Sequence, residues 1–106
     1  MKTADTESAT LAKGQFELIA KALADPRRMA LLESIGENKE CTCQRLLRLF
    51  PVTKATVSFH MKELTRAGLI DAEREGQFIS YQVRRDVLKA YTNELMRRVK
   101  LIDRDV

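Results

Sequence analysis

Few side chains in this 106-residue chain could carry reactive chemistry. Two cysteines stand one residue apart, as Cys41-Thr42-Cys43, and His60 is the single histidine. Two thiolates at that spacing could hold a soft, thiophilic metal or metalloid. On a regular helix residues i and i+2 point about 200° apart, so both could grip one ion only if Cys41 precedes the helix. Cys43 also falls in a stripe with Leu46, Leu47 and Phe50, spaced i, i+3, i+4, i+7, which makes it a core residue. On that reading Cys41 is the more exposed and faster-reacting thiol. His60 could act as a base or a ligand, but an enzyme needs several titratable groups converging on a pocket. One histidine, two neighbouring cysteines and no glycine-rich phosphate loop make no such set. The chemistry open to this chain is therefore binding, with no cofactor required and a thiophilic ion as an alternative effector.

The residues best placed for binding lie in Val52–Leu69, VTKATVSFHMKELTRAGL. Thr53 has the character of an N-cap, whose hydroxyl accepts from an amide left unpaired at a helix start. Val52 and Val57 are spaced as a hydrophobic staple across that cap. Val57, Met61 and Leu64 share one arc at about 100° per residue and form the core-facing stripe. Gly68 predicts a left-handed stop. The opposite face carries Ala55, Phe59, Lys62 and Arg66, flanked by Lys54 and Ser58. Phe59 points away from the buried stripe, toward water, a neighbouring loop or a partner. Small, hydroxyl and basic residues around one apolar ring suit the DNA major groove, where thymine offers a methyl and phosphates line the walls. His60 sits beside the buried stripe, as a boundary or DNA-proximal imidazole.

The elements that must position this helix follow from length and charge. A chain of this size makes one domain, here taken as 1–106 with 1–8 a flexible start. No apolar run reaches the 18 or so residues of a membrane span. The N-terminal MKTADTESATLAKG is unlike a signal peptide, and two cysteines without one argue for a reducing, cytoplasmic setting. Between Lys39 and Arg66 six basic residues face two acidic ones, a local charge of +4, while the rest of the chain has 13 of each. The whole net charge thus surrounds one helix, the electrostatic footprint expected of a nucleic-acid binder.

Around this segment the chain reads as helix, helix, helix, helix, hairpin, helix. Residues 9–24 form a helix with two apolar stripes: Ala12, Phe16, Ile19 and Leu23 on one side, Leu11, Leu18 and Ala22 on the other. Two stripes predict a helix caught between its own core and a partner subunit. Asp25-Pro26 ends it and caps the next, which runs to about Ile35 and buries Met29, Leu32 and Ile35. A short helix over 42–49 and the Pro51 turn lead into the helix after Thr53, and the pair resembles a helix-turn-helix. Period-two segments at 69–74 and 77–83 flank Glu75-Gly76, a two-residue hairpin signal, so a wing follows with Arg74 near its tip. The last helix, 86–102, carries Val87, Leu88, Tyr91, Leu95, Val99 and Ile102 on one stripe that nothing later in the chain can cover.

Particular residues now carry a family resemblance. LADPRRMALLESI resembles the LADPTRLxIL signature of ArsR/SmtB-type winged-helix repressors, with Arg27 where Thr is usual and Arg28 matching the Arg. TKATVSFHMKELTRAGLI is similar to their SQSTVSRHLKxLxxAGLV segment, and REGQFISY to their wing. The resemblance spans roughly Phe16 to Leu95. It implies a mainly α (α+β) winged helix-turn-helix and a dimeric, cytoplasmic repressor on a pseudo-palindromic double-stranded operator, released by an effector. It places Thr53, Lys54, Ala55, Thr56, Ser58, Phe59 and His60 at DNA-facing or supporting positions. Lys62, Arg74 and Gln77 complete the expected DNA-contacting set. Phe59 departs from the usual Arg or His, which leaves the operator sequence open. The expected dimer interface joins Leu11, Leu18 and Ala22 to Leu88, Tyr91, Leu95 and Val99. Cys41 and Cys43 look like the family's Cys-x-Cys, one residue out of register. The last helix lacks the histidine and acidic ligands of its other metal site. The fold also serves as a protein-interaction adaptor, a second function class that a weak salt dependence of DNA affinity would reveal.

Overall fold

The computed structural model describes residues 10–101 as α1 (Gln15–Leu23), α2 (Pro26–Gly36), β1 (Cys41–Thr42), α3 (Cys43–Leu49), α4 (Lys54–Arg66), β2 (Ile70–Glu75), β3 (Phe78–Val83) and α5 (Arg85–Arg98). This is the expected order with one added strand, β1. The expectations for residues 1–8, for a helix start at Ala9 and for Ile102 lie outside the described residues.

Residues 10–14, expected to be helical, are not, and α1 begins at Gln15. A turn closes before it: Gln15 N donates to Ala12 O (2.9 Å), and Ala12 N donates back to the Gln15 carboxamide (2.8 Å). Gly14 takes the left-handed conformation that this turn requires (φ 80°). Leu11 therefore precedes the helix and packs against the core, while Ala12 is exposed. Ala22 is 5% exposed and belongs to the core, so it cannot line an outer face. The second apolar stripe of α1 reduces to Leu18. The boundary with α2 is as expected: the Asp25 carboxylate accepts from the amides of Arg27 and Arg28, and Pro26 follows at the first helical position. Within α2 Leu31, Leu32 and Ile35 are buried, whereas Met29 is only half-buried.

The strand missed from the sequence is two residues long. Cys41 and Thr42 pair antiparallel with Tyr81 and Ser80, which places β3 in the centre of a β1-β3-β2 sheet. Strands β2 and β3 pair from Ile70↔Val83 to Glu75↔Phe78, so the two-residue loop is Gly76-Gln77, one residue later than the Glu75-Gly76 expected. Gly76 has φ 64° and supplies the positive φ demanded of the first loop position. Helix α5 stops at Arg98 rather than near 102. Lys100, at φ 59°, turns the chain there, and Leu101 N reaches back to Met96 O (2.8 Å), leaving Val99 outside the helix.

The core gathers Ile19, Leu31, Ile35, Leu46, Val57, Leu64, Leu69 and Ile70 from α1 through β2. Helix α4 ends as Gly68 predicts. The amide of Gly68 donates to Thr65 O (2.9 Å) and that of Leu69 to Leu64 O (3.0 Å), with Gly68 at φ 83°. Gln15 Nε2 donates to the adjacent Ala67 O (3.0 Å) and pins α1 to this end of α4. A Cβ on Gly68 would lie 2.5 Å from that nitrogen. Gly68→Ala thus combines left-handed strain with a clash, and should lower the unfolding free energy by about 1–2 kcal/mol or more in urea titration.

Candidate nucleic-acid interface

Helix α4 is held at its start, along one face and at its end, which leaves the other face free. Thr53 caps it: its hydroxyl accepts from Thr56 N (3.1 Å) and donates to the Thr56 hydroxyl (3.0 Å). Both threonine side chains are thereby engaged in the cap. Val52 is half-buried beside the fully buried Val57, as a staple requires. Val57, Met61 and Leu64 are at most 3% exposed. Lys54, Ala55, Ser58, Phe59, Lys62, Thr65 and Arg66 face outward. Phe59 is 56% exposed, although large aromatic rings account for much of what cores bury.

His60 does not share that face. It is buried at 5% exposure, with Nδ1 3.2 Å from Nη1 of Arg28. Burial holds its pKa below the ordinary 6.5, Asp25 opposing and Arg28 reinforcing the shift. Expected at a boundary or DNA-proximal position, it lies beneath the exposed side chains of α4. The physical reason is that α1 packs on α4 and Arg28, from the first turn of α2, reaches the imidazole.

Between α4 and the hairpin runs a groove of about 440 Å³. Its floor is Met61, Ala72, Ile79 and Tyr81; Lys62, Arg66 and Arg74 stand around it with Ser58 and Thr65. Register explains the wing's contribution: Ala72↔Tyr81 and Arg74↔Ile79 are facing pairs, so these four share one side of the sheet. The next pairs, Glu73↔Ser80 and Glu75↔Phe78, lie on the other side, so the acidic residues of β2 turn away from the groove. Among the described residues no carboxylate lines it. Gln77 is exposed in the hairpin loop. Thr65 was not among the expected site residues, though its spacing from Ser58 and Lys62 (i, i+4, i+7) could have found it. Arg28 gave no such signal, because its partner His60 is 32 residues away.

The thiols lie elsewhere and are both buried, Cys41 at 1% and Cys43 at 8% exposure. The expected exposure of Cys41 is overturned, and β1 is the cause: pairing with β3 sets Cys41 opposite Tyr81, under the sheet. Desolvation pushes the Cys41 thiol up, away from the thiolate a metal would need. Burial, together with the neighbouring Cys43 thiol, pushes the Tyr81 hydroxyl up to about 12. Among the described residues no group of three His, Cys, Asp or Glu side chains comes together to hold a metal ion. Two buried thiols without a third ligand do not fit a metal centre as they stand.

The expected dimer residues divide. Leu88 and Tyr91 pack largely within their own chain, Tyr91 against Phe16 with ring centroids 5.0 Å apart. Leu18, Leu95 and Val99 remain exposed at 37%, 41% and 55%.

A family described as a helix-turn-helix domain matches residues 23–73, from the end of α1 into the wing. The chain is 33% identical over 91 residues to the arsenical resistance operon repressor of Bacillus subtilis, covering 85% of this chain and 84% of that one. It is 28% identical to the transcriptional repressor SdpR of the same organism, covering 83% and 97%. Its fold is similar to that of an ArsR-like transcriptional regulator from Rhodococcus sp. RHA1, with a TM-score of 0.75, 22% identity and coverage of 83% and 82%.

Proposed function

Because the chain belongs to the ArsR/SmtB family of helix-turn-helix transcriptional regulators, we propose that it is a dimeric repressor whose α4 reads an operator in the major groove. Its relatives are transcriptional regulators, which are not enzymes, and its function is to bind DNA and regulate transcription. The observation that carries the finer reading is the exposed face of α4. An apolar ring among hydroxyls and cations is oriented outward, while the other large apolar side chains of that helix, Val57, Met61 and Leu64, are seated inward. Phe59 and Ala55 suit thymine methyls, and Ser58 suits a base edge or phosphate. Lys54, Lys62 and Arg74 suit phosphates, and Gln77 at the hairpin loop suits the flanking groove. Thr53 and Thr56 support the start of the helix. A repressor of this kind acts where the DNA is, in the cytoplasm. Among the described residues no helix is long and apolar enough to cross a membrane.

Two copies joined through α1 and α5 would cover Leu18, Leu95 and Val99 and present two α4 helices about 34 Å apart, one turn of a pseudo-palindromic operator. An interaction adaptor would need neither the basic groove nor the outward ring. The steep dependence of affinity on salt that several phosphate contacts produce separates the two classes.

The names of two relatives favour a second reading for the effector. Arsenical resistance operon repressors of Bacillus subtilis and Staphylococcus xylosus are 33% and 31% identical to this chain, and it has the Cys41/Cys43 pair. Burial of both thiols weighs against it, and we assign them to the core.

Phe59→Ala should lose roughly 1–3 kcal/mol of discrimination at one base step in a binding-site selection, as expected when a direct apolar contact goes. Lys62→Ala should weaken all duplexes alike and flatten the salt slope by about one unit. Unchanged sequence profiles in Phe59→Ala would show that the ring does not read bases. Leu95→Glu should give a monomer in sedimentation and lose operator affinity with it; a monodisperse wild-type monomer at micromolar concentration would refute the dimer. For the thiols, a Cys41→Ala, Cys43→Ala double variant should still bind DNA, and trivalent arsenic or antimony should release the wild type only weakly. Stoichiometric ion binding, with release abolished in either single variant, would establish the metalloid reading instead.

A further inference from the structure

The Arg28 guanidinium joins three helices at one point. It projects from the first turn of α2, and its Nε donates to Ala22 O (2.8 Å), one of the carbonyls that the end of α1 leaves unpaired. Its Nη1 lies 3.2 Å from Nδ1 of His60, in the middle of α4. Arginine only donates, so Nδ1 accepts, and the imidazole is neutral with its proton on Nε2. Among the described residues only Ser34 and His60 are buried polar side chains, and His60 is the one on α4. Its ring in turn supports Phe59, the two centroids 5.5 Å apart at a tilt of 58°. A continuous line of contact thus runs from the end of α1 through Arg28 and His60 to the exposed ring.

We infer that Arg28 and His60 are positioning residues for DNA readout: together they set the seat of α4 against α1 and α2 and the pose of Phe59, and neither touches nucleic acid. This rests on the proposal that α4 reads DNA. An arginine in a basic, DNA-binding chain invites assignment to a phosphate. Here two of its nitrogens already serve a carbonyl and an imidazole inside the protein. Lysine could not replace it, because only the guanidinium fork holds two acceptors in fixed relative geometry.

The pair also makes readout depend on pH. His60 is faced by Asp25, Arg27 and Arg28 from α2, by the Arg28-bound end of α1 and by Glu63 on its own helix. Protonation removes the acceptor that Arg28 uses on α4 and sets a second cation beside the guanidinium. Burial and the arginines hold the folded pKa below 6.5, so the neutral pair is intact at pH 7 and is lost as pH falls through that lowered value. The unfolded chain takes up the proton first, so folding stability declines over the same interval.

The test uses the full chain, a duplex selected from a random library and a scrambled duplex of equal length. Affinities for both are measured against salt and against pH. His60→Leu and Arg28→Met should each cut the ratio of selected to scrambled affinity about tenfold, with the salt slope unchanged. His60→Gln, whose carboxamide oxygen can accept from Arg28, should restore most of the ratio and abolish its decline below pH 6.5. If Arg28→Met unfolds, the comparison of His60→Leu with His60→Gln decides. A slope flattened by about one unit in Arg28→Met, with both duplexes weakened alike, would make Arg28 a phosphate contact and overturn the inference. A wild-type ratio in folded His60→Leu would overturn it too. Indifference of binding to Phe59→Ala and Lys62→Ala would remove the α4 reading itself. A response there, with silent His60 variants, would remove only the positioning role.

Discussion

An isolated helix of 13 residues is marginal in water, so α4 owes its existence to the surface it buries. Val57, Met61 and Leu64 are nearly inaccessible, and α1, α3 and β2 all pack on that side. Each end is closed locally, by the Thr53 cap and the Gly68 stop. Burial of one face leaves the opposite face projecting with little freedom to rotate. A rigid face is what base readout requires, because side chains on a packed helix hold their geometry better than side chains on a loop. Fold and function therefore meet in one constraint: the inner stripe must stay buried for the outer face to stay in register.

The sheet extends that constraint to the wing. Strand β3 is central and lies between β1 and β2, so the hairpin is anchored by a third strand rather than standing as an isolated ribbon, which would be marginal by itself. The alternation of side chains then sorts charge. Arg74 joins the groove beside α4, while Glu73 and Glu75 take the other side. A one-residue slip of the hairpin would exchange these faces and bring the carboxylates against the basic rim. The Gly76-Gln77 loop holds the register in which this does not happen.

At the far side of the molecule α1 and α5 are tied through Phe16, which packs on Tyr91 and lies under the Arg98 guanidinium at 3.9 Å. Glu94 accepts from both Arg97 and Arg98, and these bonds hold its carboxyl at about 2. Such solvated pairs add little to stability. Their effect is to order the end of α5, next to the apolar side chains of Leu95 and Val99 that its own chain leaves uncovered.

Much of this was legible in the residues alone. The Asp25-Pro26 break, the Thr53 cap, the Val57–Met61–Leu64 stripe, the Gly68 stop and the outward Phe59 depend on spacing within a few turns, and local spacing is what a sequence displays. The concentration of positive charge around α4 was likewise countable. What only the tertiary structure decided depends on partners distant in the chain. Two residues pairing with β3 buried Cys41 and reversed its expected exposure. The packing of α1 moved Ala22 from an outer stripe into the core, and the turn at Gly14 took Leu11 out of the helix. His60 sits at the edge of its helical stripe, where periodicity alone does not assign it to either side. Arg28, from a different helix and itself bonded to the carbonyl of Ala22 on a third, places it on the buried side, because a buried imidazole needs a hydrogen-bond partner and only the assembled fold supplies one.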